Sequence, residues 1–166
     1  MASLAGSLLV ARPSLNDGFF GRAVVLLLQH SGEGAFGLVL NRPAKVKDAP
    51  LPVSIGGPCR FDGFLLLHGH SDWLKDSEHP EGEIIPGVYM GDASVMERIT
   101  DPLPGAELRF RMFAGYSGWG ANQLENELGQ GAWSIVKANA GHVFDVPPED
   151  LWEKVAPPTI PQPSVN

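Results

Sequence analysis

The run Ala23-Val24-Val25-Leu26-Leu27-Leu28 constrains this chain most, because six apolar residues in a row leave a strand no wet side. A strand of that composition belongs in the middle of a sheet with both faces covered. After Gln29, the glycine-rich stretch His30-Ser31-Gly32-Glu33-Gly34-Ala35 marks a turn, and Phe36-Gly37-Leu38-Val39-Leu40 resumes a strand-like pattern. The pair predicts an antiparallel hairpin. Such pairing puts His30 at the turn end and returns Asn41-Arg42 to the side of Gly21-Arg22, making neighbours of Arg22, Asn41 and Arg42.

Other elements follow from the same patterns. Ser7–Ala11 reads as a short strand ended by Arg12-Pro13, residues 44–58 as a surface loop closing on Gly56-Gly57-Pro58-Cys59, and residues 63–68 as a buried strand. Residues 87–91 predict a strand leading to Asp92, an N-cap for a helix through about Thr100 with Val95, Met96 and Ile99 on one stripe. Residues 107–113 alternate polar with apolar, which predicts a strand whose Arg109 and Arg111 lie on a solvated face. Gly115-Tyr116-Ser117-Gly118-Trp119-Gly120 reads as a turn into a helix over 121–128 stopped by Gly129. Residues 133–138 and 142–146 predict a closing hairpin, and Pro148 a last helix with Leu151, Trp152 and Val155 inward. Hairpin-linked strands with irregularly interspersed helices indicate an α+β fold on a mixed, mostly antiparallel sheet. One domain is expected over residues 1–156, with a proline-rich, disordered tail over 157–166.

Charge narrows the function classes. Twelve Lys+Arg against nineteen Asp+Glu give a net charge of -7, which disfavours broad contact with nucleic-acid phosphates. The single cysteine, Cys59, makes no internal disulfide and fits a reducing, cytoplasmic compartment, and no apolar run reaches the roughly 20 residues of a membrane helix. No cofactor, metal or membrane association is expected.

Three constellations bear on chemistry. His68-Gly69-His70-Ser71-Asp72 has the H-x-H-x-D spacing of loops that present metal ligands, but Trp73 stands where a further histidine usually follows. Ser117 lies between a strand and a helix like the nucleophile of a G-x-S-x-G elbow, but Trp119 replaces the last glycine. Free N–H groups at Gly118-Trp119-Gly120 suit an anion, with Tyr116 or Trp119 stacking on a flat ligand, Gln123 in the first turn and Arg22 or Arg42 adding charge. The plainer account is that Gln123 closes a capping box and the aromatics fill core. Cys59 reads as a small buried hydrophobe, with Arg60 beside it as the one feature favouring a reactive thiol.

A larger pattern joins these pieces: Gly6-Ser7-Leu8-Leu9-Val10-Ala11, Arg22, His30, Gly34 through Pro43, Gly56-Gly57-Pro58, Leu67-His68, Gly115-Tyr116-Ser117-Gly118-Trp119, and Gln123-Leu124-Glu125 to Trp133. From about Gly6 to Val155 the chain resembles the AlgH/YqgE family of bacterial proteins. The resemblance implies a small cytosolic α+β domain on a mixed, partly barrel-like sheet, in a family often labelled a transcriptional regulator. Arg22, His30, Asn41, Arg42, His68, Tyr116, Trp119, Gln123 and Glu125 match its pattern, without a catalytic role to carry over. His70 and Asp72 fall outside it, and alanine often stands at the place of Ser117. Cys59 replaces a usual valine, and Ala121-Asn122 replace a Pro-Gly pair, with Asn122 expected to tighten the helix entry.

The favoured function is a regulatory or interaction protein that binds a small ligand or protein partner near Arg22, Asn41, Arg42, Tyr116, Trp119 and Gln123; His30, His68 and Glu125 have no assigned role. The alternatives are a hydrolase, through His68, His70 and Asp72 or through Ser117, and a DNA-binding regulator, which needs Lys45, Lys47, Arg109 and Arg111 on one face.

Overall fold

A computed structural model describes residues 2–13, 15, 18–44, 51–76, 82–91, 93–105 and 107–157, without the side chains of 74–76, 93 and 94. Along the chain come β1 (Ser7–Ala11), β2 (Val24–Ser31), β3 (Gly34–Val39), β4 (Val53–Ile55), β5 (Leu65–His68), β6 (Glu83–Ile85) and β7 (Val88–Gly91). Then follow α1 (Ala93–Thr100), β8 (Phe110–Ala114), β9 (Ser117–Gly120), α2 (Gln123–Gly129), β10 (Trp133–Lys137), α3 (Ala140–Phe144) and α4 (Pro148–Val155). Asp92, Lys45, Lys47 and residues 158–166 lie outside the described residues.

The strands form two five-stranded sheets, ordered β10-β1-β2-β3-β9 and β4-β8-β5-β7-β6. Every pairing is antiparallel except the parallel β4–β8 pair, so the fold is α+β with mixed, mostly antiparallel sheets. The sheets do not close into a barrel. They meet along one corner, where the chain beyond β3 pairs with β4 through Ile55 N–H to Arg42 O at 2.7 Å and Ala44 N–H to Val53 O at 2.8 Å.

The apolar run in β2 explains the layering. Val24, Leu26 and Leu28 face a cluster between the sheets with Leu8, Val10, Leu38, Leu67 and Phe113. Val25 and Leu27 face the other way, into a cluster with Leu9, Val39, Trp119, Leu124 and Trp133 beneath α2. Because strand side chains alternate, a strand covered on both faces must be apolar at every position. A third cluster, Val53, Leu66, Met112, Trp73, Val95 and Ile99, lies behind the second sheet under α1. Helices α3 and α4 add Val143, Leu151 and Val155 to the inter-sheet core. Among the described residues no helix is long and apolar enough to cross a membrane.

Several local expectations are corrected. Residues 140–144 are helical where a hairpin turn over 139–141 and a strand over 142–146 were expected, because Asn139 Oδ1 accepts His142 N–H at 2.9 Å while His142 Nδ1 accepts Asn139 N–H at 3.2 Å. That is a capping box with histidine at its third position. Ser117–Gly120 is not a turn but β9, paired with β3, and its alternation buries Ser117 and Trp119 while Gly118 and Gly120 face out. Gly129 belongs to α2, and the chain leaves the helix through Gly131 at φ +75°. Asn122 adopts φ +65°, a left-handed conformation that glycine takes more readily, so it does not tighten the helix entry.

The strand over 107–113 departs most. It begins at Phe110, and Arg111 lies opposite Leu67, on the side of β8 that faces the inter-sheet core. Its guanidinium donates to Ser54 Oγ at 2.6 Å and Val143 O at 3.3 Å, and sits over the Phe113 ring at 5.0 Å. Burial lowers the Arg111 pKa to about 10. Arg109 alone keeps the solvated position, paired with Asp145 at 2.9 Å. Alternation separates the two faces of a strand but does not say which is covered, and here both are.

Candidate functional site

Arg22, Asn41 and Arg42 come together, and the side chains of Asn41 and Arg42 turn onto the backbone beside them. Asn41 Oδ1 accepts Val24 N–H at 2.9 Å, and its Nδ2 donates to Arg22 O at 2.8 Å. Arg42 donates to the carbonyls of Gly21, Phe19 and Asn41, and partial burial lowers its pKa. These bonds hold Arg22 at φ +59°, a region that residues with a Cβ seldom occupy. The Arg22 guanidinium stacks 4.5 Å over Trp152 and pairs with Glu153 at 3.1 Å. Asn41→Ala is expected to cost about 2–4 kcal/mol by orphaning two backbone groups, measured by urea unfolding, with Asn41→Asp less costly because it keeps the acceptor.

The second set lies elsewhere. Trp119 pairs with Ala35 near the start of β3, whereas Asn41 follows its end, six residues or about 20 Å of extended chain away. Tyr116 packs against Phe36 with ring centroids 4.9 Å apart, and Gln123 Oε1 accepts Gly120 N–H at 2.9 Å. The indole N–H groups of Trp119 and Trp133 share Glu127 Oε1, at 3.1 and 2.8 Å. Tyr116, Trp119 and Gln123 thus lie toward the opposite end of the β2–β3 hairpin from Arg22, Asn41 and Arg42.

The His30 side chain is buried, and both its nitrogens are engaged. Nδ1 accepts Leu4 N–H at 2.9 Å, which leaves the proton on Nε2, 3.3 Å from Glu125 Oε2. The Glu125 backbone N–H and then His30 hold the Glu125 carboxyl below its ordinary pKa. The other oxygen, Oε1, is buried without a hydrogen-bond partner among the described residues. A surface hollow of about 310 Å³ opens here, lined by Gln29, His30, Glu33, Phe36 and Trp119.

His68 and His70 present ring nitrogens to the backbone. His68 Nδ1 accepts His70 N–H at 3.2 Å, and His70 Nε2 accepts Arg109 N–H at 2.9 Å. His70 stacks on Trp73 at 4.0 Å, and Asp72 is exposed. Among the described residues no three His, Cys, Asp or Glu side chains are placed to hold a metal ion. Ser117 is fully buried and its hydroxyl donates to Gly56 O at 3.0 Å, so its oxygen reaches no substrate in this conformation.

Sequence reasoning missed the place where residues 56–59 cross residues 115–117. Cys59 N–H donates to Tyr116 O at 2.9 Å, and Tyr116 N–H donates back to Cys59 O at 3.1 Å. The backbones touch: a Cβ on Gly57 would overlap the Tyr116 carbonyl, and one on Gly115 would lie 2.7 Å from Gly57 O. From this crossing a loop projects with Phe61 45% and Phe64 56% exposed, beside a hollow of about 520 Å³ lined by Gly57, Pro58, Cys59, Arg60, Phe61 and Gly115. The signal was the glycine content of both blocks, which permits two backbones to approach this closely.

The AlgH-like family model (DUF179) matches residues 8–159. This chain belongs to the AlgH-like family. A UPF0301 protein of Chlamydia pneumoniae is 39% identical over 165 residues, spanning 90% of this chain and 84% of its own. One from Streptomyces coelicolor is 38% identical over 169 residues, spanning 93% and 86%. The solution structure of the AlgH protein from Pseudomonas aeruginosa superposes with a TM-score of 0.72 at 27% identity, covering 92% of this chain and 87% of that one. A Corynebacterium diphtheriae protein shares the fold, with a TM-score of 0.71 at 24% identity over 90% of this chain and 83% of its own. The Gly-Gly-Pro and Gly-Tyr-Ser-Gly-Trp blocks that carry the AlgH-like resemblance are thus the strands of chain that cross at Gly57 and Gly115.

Proposed function

We propose that this AlgH-like protein acts by binding a protein partner, on the face where its two glycine-rich blocks cross. The observation that carries this reading is the pair of exposed phenylalanines, Phe61 and Phe64, on a loop anchored at Cys59 and Tyr116. Exposed aromatic side chains contribute large contact areas, and a loop anchored before binding loses less entropy when it docks. Regulation then runs through the bound protein. Direct reading of DNA is disfavoured by charge, since Arg22 and Arg109 are paired with carboxylates and Arg111 is turned into the core. Hydrolysis is disfavoured by the backbone bonds that occupy Ser117, His68 and His70.

The test is photo-cross-linking in cells with p-benzoylphenylalanine at position 64, against the same group at Ile135, exposed on an edge strand of the other sheet. Specific adducts from position 64, abolished by Phe61→Ser, are expected. Identical products from both positions, or none from 64, would overturn the reading.

A further inference from the structure

We infer that the partner seated on this loop is a second copy of the same chain, docked about a two-fold axis through Phe61; this rests on the docking-face reading above. The argument is electrostatic. At a net charge of -7 two copies repel on average, so contact between them is favoured where charge is locally balanced. Pro58-Cys59-Arg60-Phe61-Asp62-Gly63-Phe64 is such a place: one positive and one negative residue flank an exposed aromatic ring.

Among the described residues, Arg60 and Asp62 form no ion pair within their own chain, and both are exposed. A two-fold contact is self-complementary, so what one copy offers the other receives. When two such loops pass antiparallel across the axis, Arg60 meets the other copy's Asp62 and Asp62 meets its Arg60, while the Phe61 and Phe64 rings pack between. Four aromatic rings and two balanced pairs make a small interface, which implies a reversible dimer and not an obligate one.

Sedimentation velocity on the full chain over a wide concentration range, near physiological salt, tests this with the wild type, R60D, D62R and R60D/D62R. The wild type is expected to show concentration-dependent dimers. Each single reversal is expected to weaken association about tenfold by facing like charges, and the double reversal to restore it to within about threefold. Net charge does not imitate this pattern, because R60D makes the chain more negative and D62R less negative, yet both weaken the dimer. A wild type monomeric throughout, or a double variant no better than the singles, overturns the inference. The cross-linker at position 64 separates the two failures. Adducts only to other proteins overturn self-association and leave the docking face standing, whereas absence of specific adducts removes both.

Discussion

Gly57→Ala is expected to destabilise the protein by about 3 kcal/mol, near the upper end for overpacking a filled site. The added methyl meets the Tyr116 carbonyl and the Ser117 nitrogen, which are backbone atoms and cannot rotate aside. Relief requires the two chain segments to separate, which strains the paired bonds between Cys59 and Tyr116 and the Ser117 hydroxyl bond to Gly56. For a domain of this size the loss lowers Tm by about 10 °C. Gly32→Ala is the matched control, since nothing lies within 4 Å of its added methyl and its φ is not positive. It is expected to change stability by less than about 0.5 kcal/mol. Equal losses for the two variants in calorimetry would show that the crossing does not hold the fold.

Stability is expected to fall as pH drops from 7.5 to 5, through His70 and His142, which must stay neutral to keep their backbone bonds. His70 accepts the Arg109 N–H and His142 the Asn139 N–H. A protonated nitrogen cannot accept. Burial lowers the pKa of His70, with Arg109 adding to the shift and Asp72 opposing it, and burial with Lys154 nearby lowers that of His142. The direction follows from linkage. With folded pKa values depressed, the unfolded chain binds more protons below about pH 6.5, so the stabilisation present above that pH is lost as pH falls through the folded values. Urea unfolding between pH 5 and 8 measures the slope. In the double variant His70→Gln, His142→Gln the slope is expected to flatten, because a glutamine carbonyl accepts the same N–H without titrating. An unchanged slope would place the titration elsewhere.

Much of this architecture was legible one residue at a time. The run from Ala23 to Leu28 specified a strand buried on both sides, and the glycines between Ser31 and Ala35 specified its hairpin, because both depend on local composition and on the two-residue period of a strand. Hairpin register then brought Asn41 beside Arg22 without further information. The family was legible as well, since it rests on motif order along the chain.

Tertiary structure decided what periodicity leaves open. The alternation over 107–113 distinguished two faces of β8, but the position of the first sheet turned Arg111 inward. The histidine at position 142 gave no local sign of a cap, because histidine rarely fills that place, and only its bond to Asn139 made 140–144 a helix. The docking loop is the largest such case. The sequence pattern places Phe64 in a buried strand over 63–68 and marks nothing at Phe61, yet the strand begins at Leu65 and the crossing of Gly57 over Gly115, some sixty residues apart in sequence, holds both rings at the surface. Local sequence determined which segments become strands and hairpins, because those preferences act within a few residues. Which faces are covered and which side chains stay outside was set by contacts between distant segments, which no local pattern records.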